Sequence, residues 1–118
     1  MVVMRRGDIV LADLDPAVGS EADKRRPVVI VSNDRANRAA EETGRGVIVV
    51  VPLTSNVSTV HLFQVLIPSA DSGLRSDSKA QVEQIRALSV QRLTMHLGVV
   101  PELLMDQIDQ ALRRQLDL

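Results

Sequence analysis

Apolar positions fall in short clusters along the 118-residue chain, and the spacing inside each cluster predicts its element. Asp8-Ile9-Val10-Leu11-Ala12-Asp13-Leu14 is an apolar run ended by the turn signal Asp15-Pro16 and followed by a polar Gly-Ser-Glu loop. It predicts a first strand and a long loop. Val28-Val29-Ile30-Val31, opened by Pro27 and closed by Ser32-Asn33-Asp34, is a β-branched run of the kind that fills a strand buried on both faces. Proline is tolerated at a first strand position. The segment from Asp34 to Glu42 is polar with Ala36, Ala39 and Ala40, and predicts a short helix. Val47-Ile48-Val49-Val50-Val51 predicts a third strand, left through Pro52-Leu53-Thr54-Ser55-Asn56.

His61 to Ile67 reads as a fourth strand ended by Pro68, with a turn at Asp71-Ser72-Gly73. Lys79 to Ile85 alternates polar and apolar as a half-buried strand does, and Leu93 to Val100 predicts a short helical turn plus a last strand. Beyond Pro101, Leu104, Ile108, Ala111 and Leu112 share one helical face, while Glu102 at the start and Arg113 and Arg114 near the end complement the helix dipole. Five or six short strands, one terminal helix, no repeat and no linker predict an α+β, mainly β fold in one domain, 1–118. The expected architecture is a strongly bent sheet or barrel with helices packed outside.

Composition narrows the function classes. The chain has no cysteine, which removes disulfide frameworks, thiolate nucleophiles and cysteine zinc sites together and suits a reducing cytosol. Met1 to Arg6 holds too few apolar residues for a signal peptide, and no apolar stretch reaches membrane-spanning length, so the sequence reads as cytoplasmic. The formal net charge is -1, and the chain up to Gly46 balances its basic residues against as many acidic ones. A broad basic face for nucleic acid is thereby excluded, because such faces draw their affinity from counterion release. Any basic surface must be local, and Lys24-Arg25-Arg26 is the tightest cluster. Phe63 is the one aromatic residue, so bases cannot be stacked on a row of rings.

The common catalytic sets are missing. His61 and His96 fall in predicted strands with nothing to bring them together, and packing or surface roles account for them. Asp13 and Asp15, or Glu41 and Glu42, lack flanking histidines or calcium-loop spacing, so no metal or other cofactor is expected. Gly44-Arg45-Gly46 is too short to mark a phosphate loop.

Ordered blocks carry more information. Arg6-Gly7-Asp8-Ile9-Val10 with Ala12-Asp13-Leu14-Asp15-Pro16, Gly19-Ser20-Glu21, Arg26-Pro27-Val28-Val29-Ile30-Val31-Ser32, Val51-Pro52-Leu53-Thr54-Ser55 and Glu83-Gln84-Ile85-Arg86-Ala87-Leu88 follow one another along the chain. In that order they resemble the MazF/PemK toxin family, and Arg92-Leu93, Gly98-Val99-Val100 and the final helix fit it too. The resemblance implies an SH3-like barrel (CcdB/MazF-like) with a C-terminal helix, a homodimer, and an mRNA interferase that cuts single-stranded RNA without metal. It also implies a MazE-like antitoxin partner. The family's arginine before the second-strand proline corresponds to Arg26, and its threonine after the third strand to Thr54. By the same resemblance the 2'-hydroxyl of the RNA attacks, leaving a 2',3'-cyclic phosphate and a 5'-hydroxyl.

The residue chemistry suits these assignments. A guanidinium fork stabilises charge on non-bridging phosphate oxygens, and a hydroxyl adds a hydrogen bond. With a pKa above about 12, arginine is poorly matched to general-base work at neutral pH, which favours an electrostatic role for Arg26. Glu21 is the candidate for orienting the arginine or assisting the 2'-hydroxyl. Ser20, Lys24, Arg25, Ser55, Gln84 and Arg86 are the expected RNA contacts. The plain structural readings are a surface ion pair of Arg26 with Glu21 or Asp23, a turn contact for Thr54, and a solvated strand face for Glu83 to Arg86. Two alternative functions stay open at this point: a CcdB-like toxin that poisons gyrase, and a non-catalytic SH3-like binding module. The loops Asp15 to Arg25 and Asn56 to His61 are where cleavage-sequence preference is expected.

Overall fold

A computed structural model describes residues 4–22 and 24–118. The two apolar runs become adjacent strands in the middle of an antiparallel sheet: β2 (Arg25–Ile30) pairs with β1 (Asp8–Asp13) on one side and with β3 (Val47–Thr54) on the other. Alternation explains why both runs are apolar at every position. Val28 and Ile30 join Ile48, Val50 and Leu88 on one face, while Val29 joins Val51, Leu53 and Ile9 on the opposite face. Each face has its own helix. α1 (Asp34–Thr43) brings Ala40 to the first core, and a C-terminal helix over Glu102–Leu116 brings Met105, Ile108 and Ala111 to the second. Each fully buried Val, Ile or Leu contributes about 1.5–3 kcal/mol, so these central strands hold most of the apolar stabilisation.

Helix starts and stops follow the local sequence. The Asn33 side chain accepts the Ala36 N–H at 2.9 Å, and Gly44 ends α1 in the left-handed conformation. On the C-terminal helix Met105 is more deeply buried than Leu104 or Leu112, which pack half-buried at the rim of the stripe predicted for them. Arg6 ties this helix to the sheet, with Nε donating to the Val31 carbonyl at 2.9 Å and Nη2 paired with Asp109.

The remaining strands are β4 (Gln64–Ile67), β5 (Ser78–Gln81), β6 (Arg86–Ser89) and β7 (Leu93–Val99), giving seven in the order β4-β5-β3-β2-β1-β7 with β6 also on β3. The expected mixed, mainly β class with a terminal helix is therefore present, with more strands than the sequence pattern predicts. The single strand expected over Lys79 to Ile85 is two strands around a 3-10 turn at Val82–Gln84. Leu53 pairs with Ala80 but Val50 pairs with Arg86, so the partner register steps by the length of that turn and β3 bends where it changes partner. Pro52 sits at this change, where a missing N–H costs least, and β3 continues through it to Thr54 instead of ending at Val51.

The fourth strand starts at Gln64, because His61 to Phe63 turn back, with the Gln64 N–H donating to the His61 carbonyl at 2.9 Å. His61 consequently lies in a turn, stacked on Phe63, and only His96 lies in a strand. The turn expected at Asp71 to Gly73 is the end of a one-turn helix, α2 (Ser69–Ser72), stopped by Gly73 at φ 84°.

The sheet curls without closing, with β4 and β7 at the two ends of its strand order and β6 paired to β3 alone. Side-chain-free packing bridges the gap: a Cβ built on Gly98 of β7 would lie 2.0 Å from the Ser72 carbonyl oxygen, so only glycine lets α2 rest on the far edge. The C-terminal helix over Glu102–Leu116 is α3.

Candidate active site

Arg26 sits on β2 opposite Ala12, half-buried, one residue before Pro27. The β2–β3 register runs through Val28 opposite Pro52. That pairing ends there, and Arg26 and Thr54 each lie two residues beyond its last pair. Both residues line one cavity of about 620 Å³, together with Lys24, Arg25 and Ser55. Three successive cations arrive there because the chain turns sharply into β2. Lys24 takes a left-handed φ of 64°, its N–H donates to the Asp15 carboxylate at 2.9 Å, and its carbonyl accepts the Leu14 N–H at 2.9 Å. Thr54 Oγ1 accepts the Asn56 N–H at 3.3 Å, the turn contact foreseen for it. A hydroxyl that accepts one hydrogen bond still has its own proton to donate.

The other expected site residues lie around the β1–β2 loop, outside the cavity lining. Gln84 donates from Nε2 to the Ser20 carbonyl at 2.9 Å and accepts the Ala22 N–H at 3.1 Å, clamping the loop onto the 3-10 turn. Glu21 is exposed within that loop, and its Oε1 accepts the Val18 N–H at 2.6 Å. Arg86 reaches the Leu14 carbonyl at 3.5 Å. Arg92, which sequence reasoning assigned no site role, braces the same loop by donating to the carbonyls of Asp13 at 3.1 Å and Asp15 at 2.6 Å. Asp23, weighed above as an ion-pair partner for Arg26, lies outside the described residues, as do Met1 to Val3 of the N-terminal segment.

Tertiary structure adds a wall that the sequence did not mark. Leu74, Arg75, Ser76 and Ser78, from the segment after α2, and Met95 and Leu97 of β7 complete the cavity. They come from the connection into β5 and from β7, at opposite sides of the sheet, and meet because it curls. The described lining carries four cationic side chains and no carboxylate, although the chain as a whole carries one net negative charge. Basic character is thus concentrated in the cavity that Arg26 and Thr54 line.

Neither histidine lines this cavity: His61 stacks on Phe63 with ring centroids 5.1 Å apart, and His96 Nε2 lies 3.7 Å from the Asp8 carboxylate. Among the described residues no three of His, Cys, Asp or Glu come together as a metal site, and no helix is long and apolar enough to cross a membrane.

Comparison with known proteins agrees along nearly the full length. The endoribonuclease MazF9 of Mycobacterium tuberculosis is 53% identical over 116 residues, 98% of each chain. The endoribonuclease EndoA of Bacillus subtilis is 35% identical over 118 residues, covering 99% of this chain and 97% of its own. A mycobacterial endoribonuclease solved in complex with its cognate antitoxin superimposes with a TM-score of 0.76 at 26% identity, covering 98% of this chain and 96% of that one. The family described as PemK-like, MazF-like toxin of type II toxin-antitoxin system matches residues 5–116, and the chain belongs to that family.

Proposed function

We propose that this chain is the toxin of a toxin-antitoxin pair, an endoribonuclease that cuts single-stranded RNA at short sequences. The observation that carries the reading is the convergence of Arg26 and Thr54, from neighbouring strands, on one cation-rich cavity. In the reaction the substrate's 2'-oxygen attacks phosphorus, the bond from phosphorus to the 5'-oxygen breaks, and the 2'-hydroxyl proton is lost as the departing 5'-oxygen gains one. The products are a 2',3'-cyclic phosphate and a 5'-hydroxyl. Because the nucleophile belongs to the RNA, no water has to be activated and no metal is required.

Arg26 acts as a permanent charge on the non-bridging oxygens, and Thr54 donates its free hydroxyl proton to the same group. Lys24, Arg25 and Ser55 bind the adjoining backbone. Ser20, Gln84 and Arg86 contribute by holding the β1–β2 loop beside the substrate. Glu21, on that loop, is proposed to assist the 2'-hydroxyl once RNA displaces the Val18 N–H from its carboxylate. An unaltered turnover in Glu21→Gln removes it from the chemistry. The working form is a cytoplasmic homodimer of this single domain, inhibited by a MazE-like antitoxin that covers the same cavity; each of these assignments follows the family resemblance.

The test is incubation of purified protein with defined RNA in EDTA, followed by mapping of the fragment ends. Fragments with 5'-hydroxyl termini that disappear in Arg26→Ala and Thr54→Ala are expected. Intact RNA at high enzyme concentration would overturn the nuclease reading, and a gyrase-inhibition assay then decides for the gyrase-poisoning alternative.

A further inference from the structure

We propose that Arg75, together with Leu74, Met95 and Leu97, forms a second nucleotide subsite in the same cavity. Arg75 binds the phosphodiester next to the one that is cut, and the apolar side chains receive the attached base. The proposal rests on the endoribonuclease reading above and extends it to how the substrate is gripped.

Size is the first argument. A cavity of about 620 Å³ lies within the roughly 300–1,000 Å³ range of sites that enclose whole small molecules, far more than one phosphate group occupies. Arg26 and Thr54 are two of its fourteen lining residues.

Charge is the second. Lys24, Arg25 and Arg26 reach the cavity as one continuous run, whereas Arg75 comes from a separate segment. That segment is fixed by the left-handed turn at Gly73 and by the seating of α2 on Gly98. Arg75 is exposed and makes no hydrogen bond or ion pair with any described residue, so no contact within the described fold explains its place in the lining. A planar guanidinium fork, which forms paired hydrogen bonds with phosphate oxygens, is suited to a second backbone contact.

The third argument is the apolar wall beside it. Met95 is 52% exposed and lines the cavity with Leu74 and Leu97, so its side chain is accessible to a bound base. Its unbranched, polarisable thioether packs well against an aromatic face. Phe63, the one Phe, Tyr or Trp of the chain, lies outside the lining, so Met95, Leu74 and Leu97 are apolar side chains that the cavity offers to a base.

The test uses a fluorescent oligoribonucleotide made uncleavable by a 2'-deoxy sugar at the cut position. Its affinity is titrated against salt for the wild type, Arg75→Ala and Arg75→Lys. Loss of one charge-assisted contact weakens binding at least tenfold in Arg75→Ala. It also reduces the steepness of the salt dependence by about 0.7, the value of one phosphate on a single strand. Arg75→Lys restores the slope. Replacing one of the two linkages flanking the cut by a neutral methylphosphonate makes wild type and Arg75→Ala bind alike. On cleavable RNA the same variant raises KM about tenfold with kcat within about twofold. Unchanged affinity and slope in Arg75→Ala, or an equal loss on every neutral linkage, overturns the subsite. Arg75-dependent binding in a wild-type protein that cuts no RNA supports the subsite and sinks the nuclease reading instead.

Discussion

Gly98→Ala tests whether the cavity wall depends on the contact that bridges the open sheet. The added Cβ would stand 2.0 Å from the Ser72 carbonyl oxygen and 3.2 Å from its carbon. A close C···O contact needs roughly 3.3 Å, so α2 and β7 must separate by roughly 1.3 Å. Both neighbours are backbone, with no flexible side chain to yield, which puts the cost at about 2–3 kcal/mol, the upper part of the usual overpacking range. For a chain of this size each kcal/mol lowers Tm by about 3–5 °C, giving a fall of about 6–15 °C. Gly98 does not adopt a positive φ, so the loss arises from the clash and not from backbone strain.

Gly46→Ala is the matched control. Gly46 has a φ of 93° with nothing within 4 Å of its Cβ position, so alanine there meets only strain of about 1–2 kcal/mol, away from the cavity. Thermal unfolding followed by circular dichroism measures both variants, and initial rates on a fluorogenic oligoribonucleotide are taken at 20 °C, where both are folded. Gly98→Ala is expected to lose rate as well as stability, because Gly73 and Leu74 line the cavity and move with α2. Gly46→Ala loses stability only. A Gly98→Ala protein with unchanged Tm, or with lowered Tm and wild-type rate, refutes the idea that this contact shapes the site.

Four further outcomes are expected. Arg26→Lys keeps the charge but loses the fork and drops kcat by about 10²-fold or more, whereas Thr54→Ser retains most activity and Thr54→Val loses it; single-turnover rates distinguish them. Gln84→Ala breaks both clamps on the β1–β2 loop, costs about 1–2 kcal/mol and speeds proteolysis between Val18 and Lys24, read by mass spectrometry of the fragments. Arg6→Ala releases Asp109 and the Val31 carbonyl, destabilises by about 1 kcal/mol, and loosens α3 in hydrogen exchange before the central strands. The Arg6 N–H donating to Asp34 at 2.7 Å holds that carboxyl below its ordinary value of 3.8. Its contribution is therefore present above the unfolded value and fades as pH falls through the lower folded one. Urea midpoints from pH 6 to 3 should fall less steeply in Asp34→Asn than in the wild type, and parallel profiles would contradict the assignment.

Local pattern identified most elements correctly because their causes are local. The β-branched runs at Val28 to Val31 and Val47 to Val51 are apolar at every position and sit in the centre of the sheet, buried on both faces except at Val47, which is exposed, and Val49, which is part-buried. Asn33, Gly44, Pro101 and the Leu104 to Leu112 stripe set two helices through capping and periodicity that act within a few residues. Arg26 and Thr54 became candidates through the order of family blocks, since neither has a neighbour in sequence that marks it as chemical.

What escaped the sequence depended on partners far along the chain. Lys79 to Ile85 alternates like one strand, yet β3 bends at Pro52 and its partner must break there, a demand made by a segment about thirty residues earlier. Ser20 and Gln84 stand 64 residues apart, and only the fold turns them into a clamp. Arg75, Met95 and Leu97 became one wall because the sheet curls until α2 rests on a glycine of the opposite edge. The sequence by itself determined the central strands and the two longer helices, through interactions spanning a few residues. The tertiary structure decided which side chains share the cavity, because strand register and sheet curvature are set by packing summed over the whole sheet.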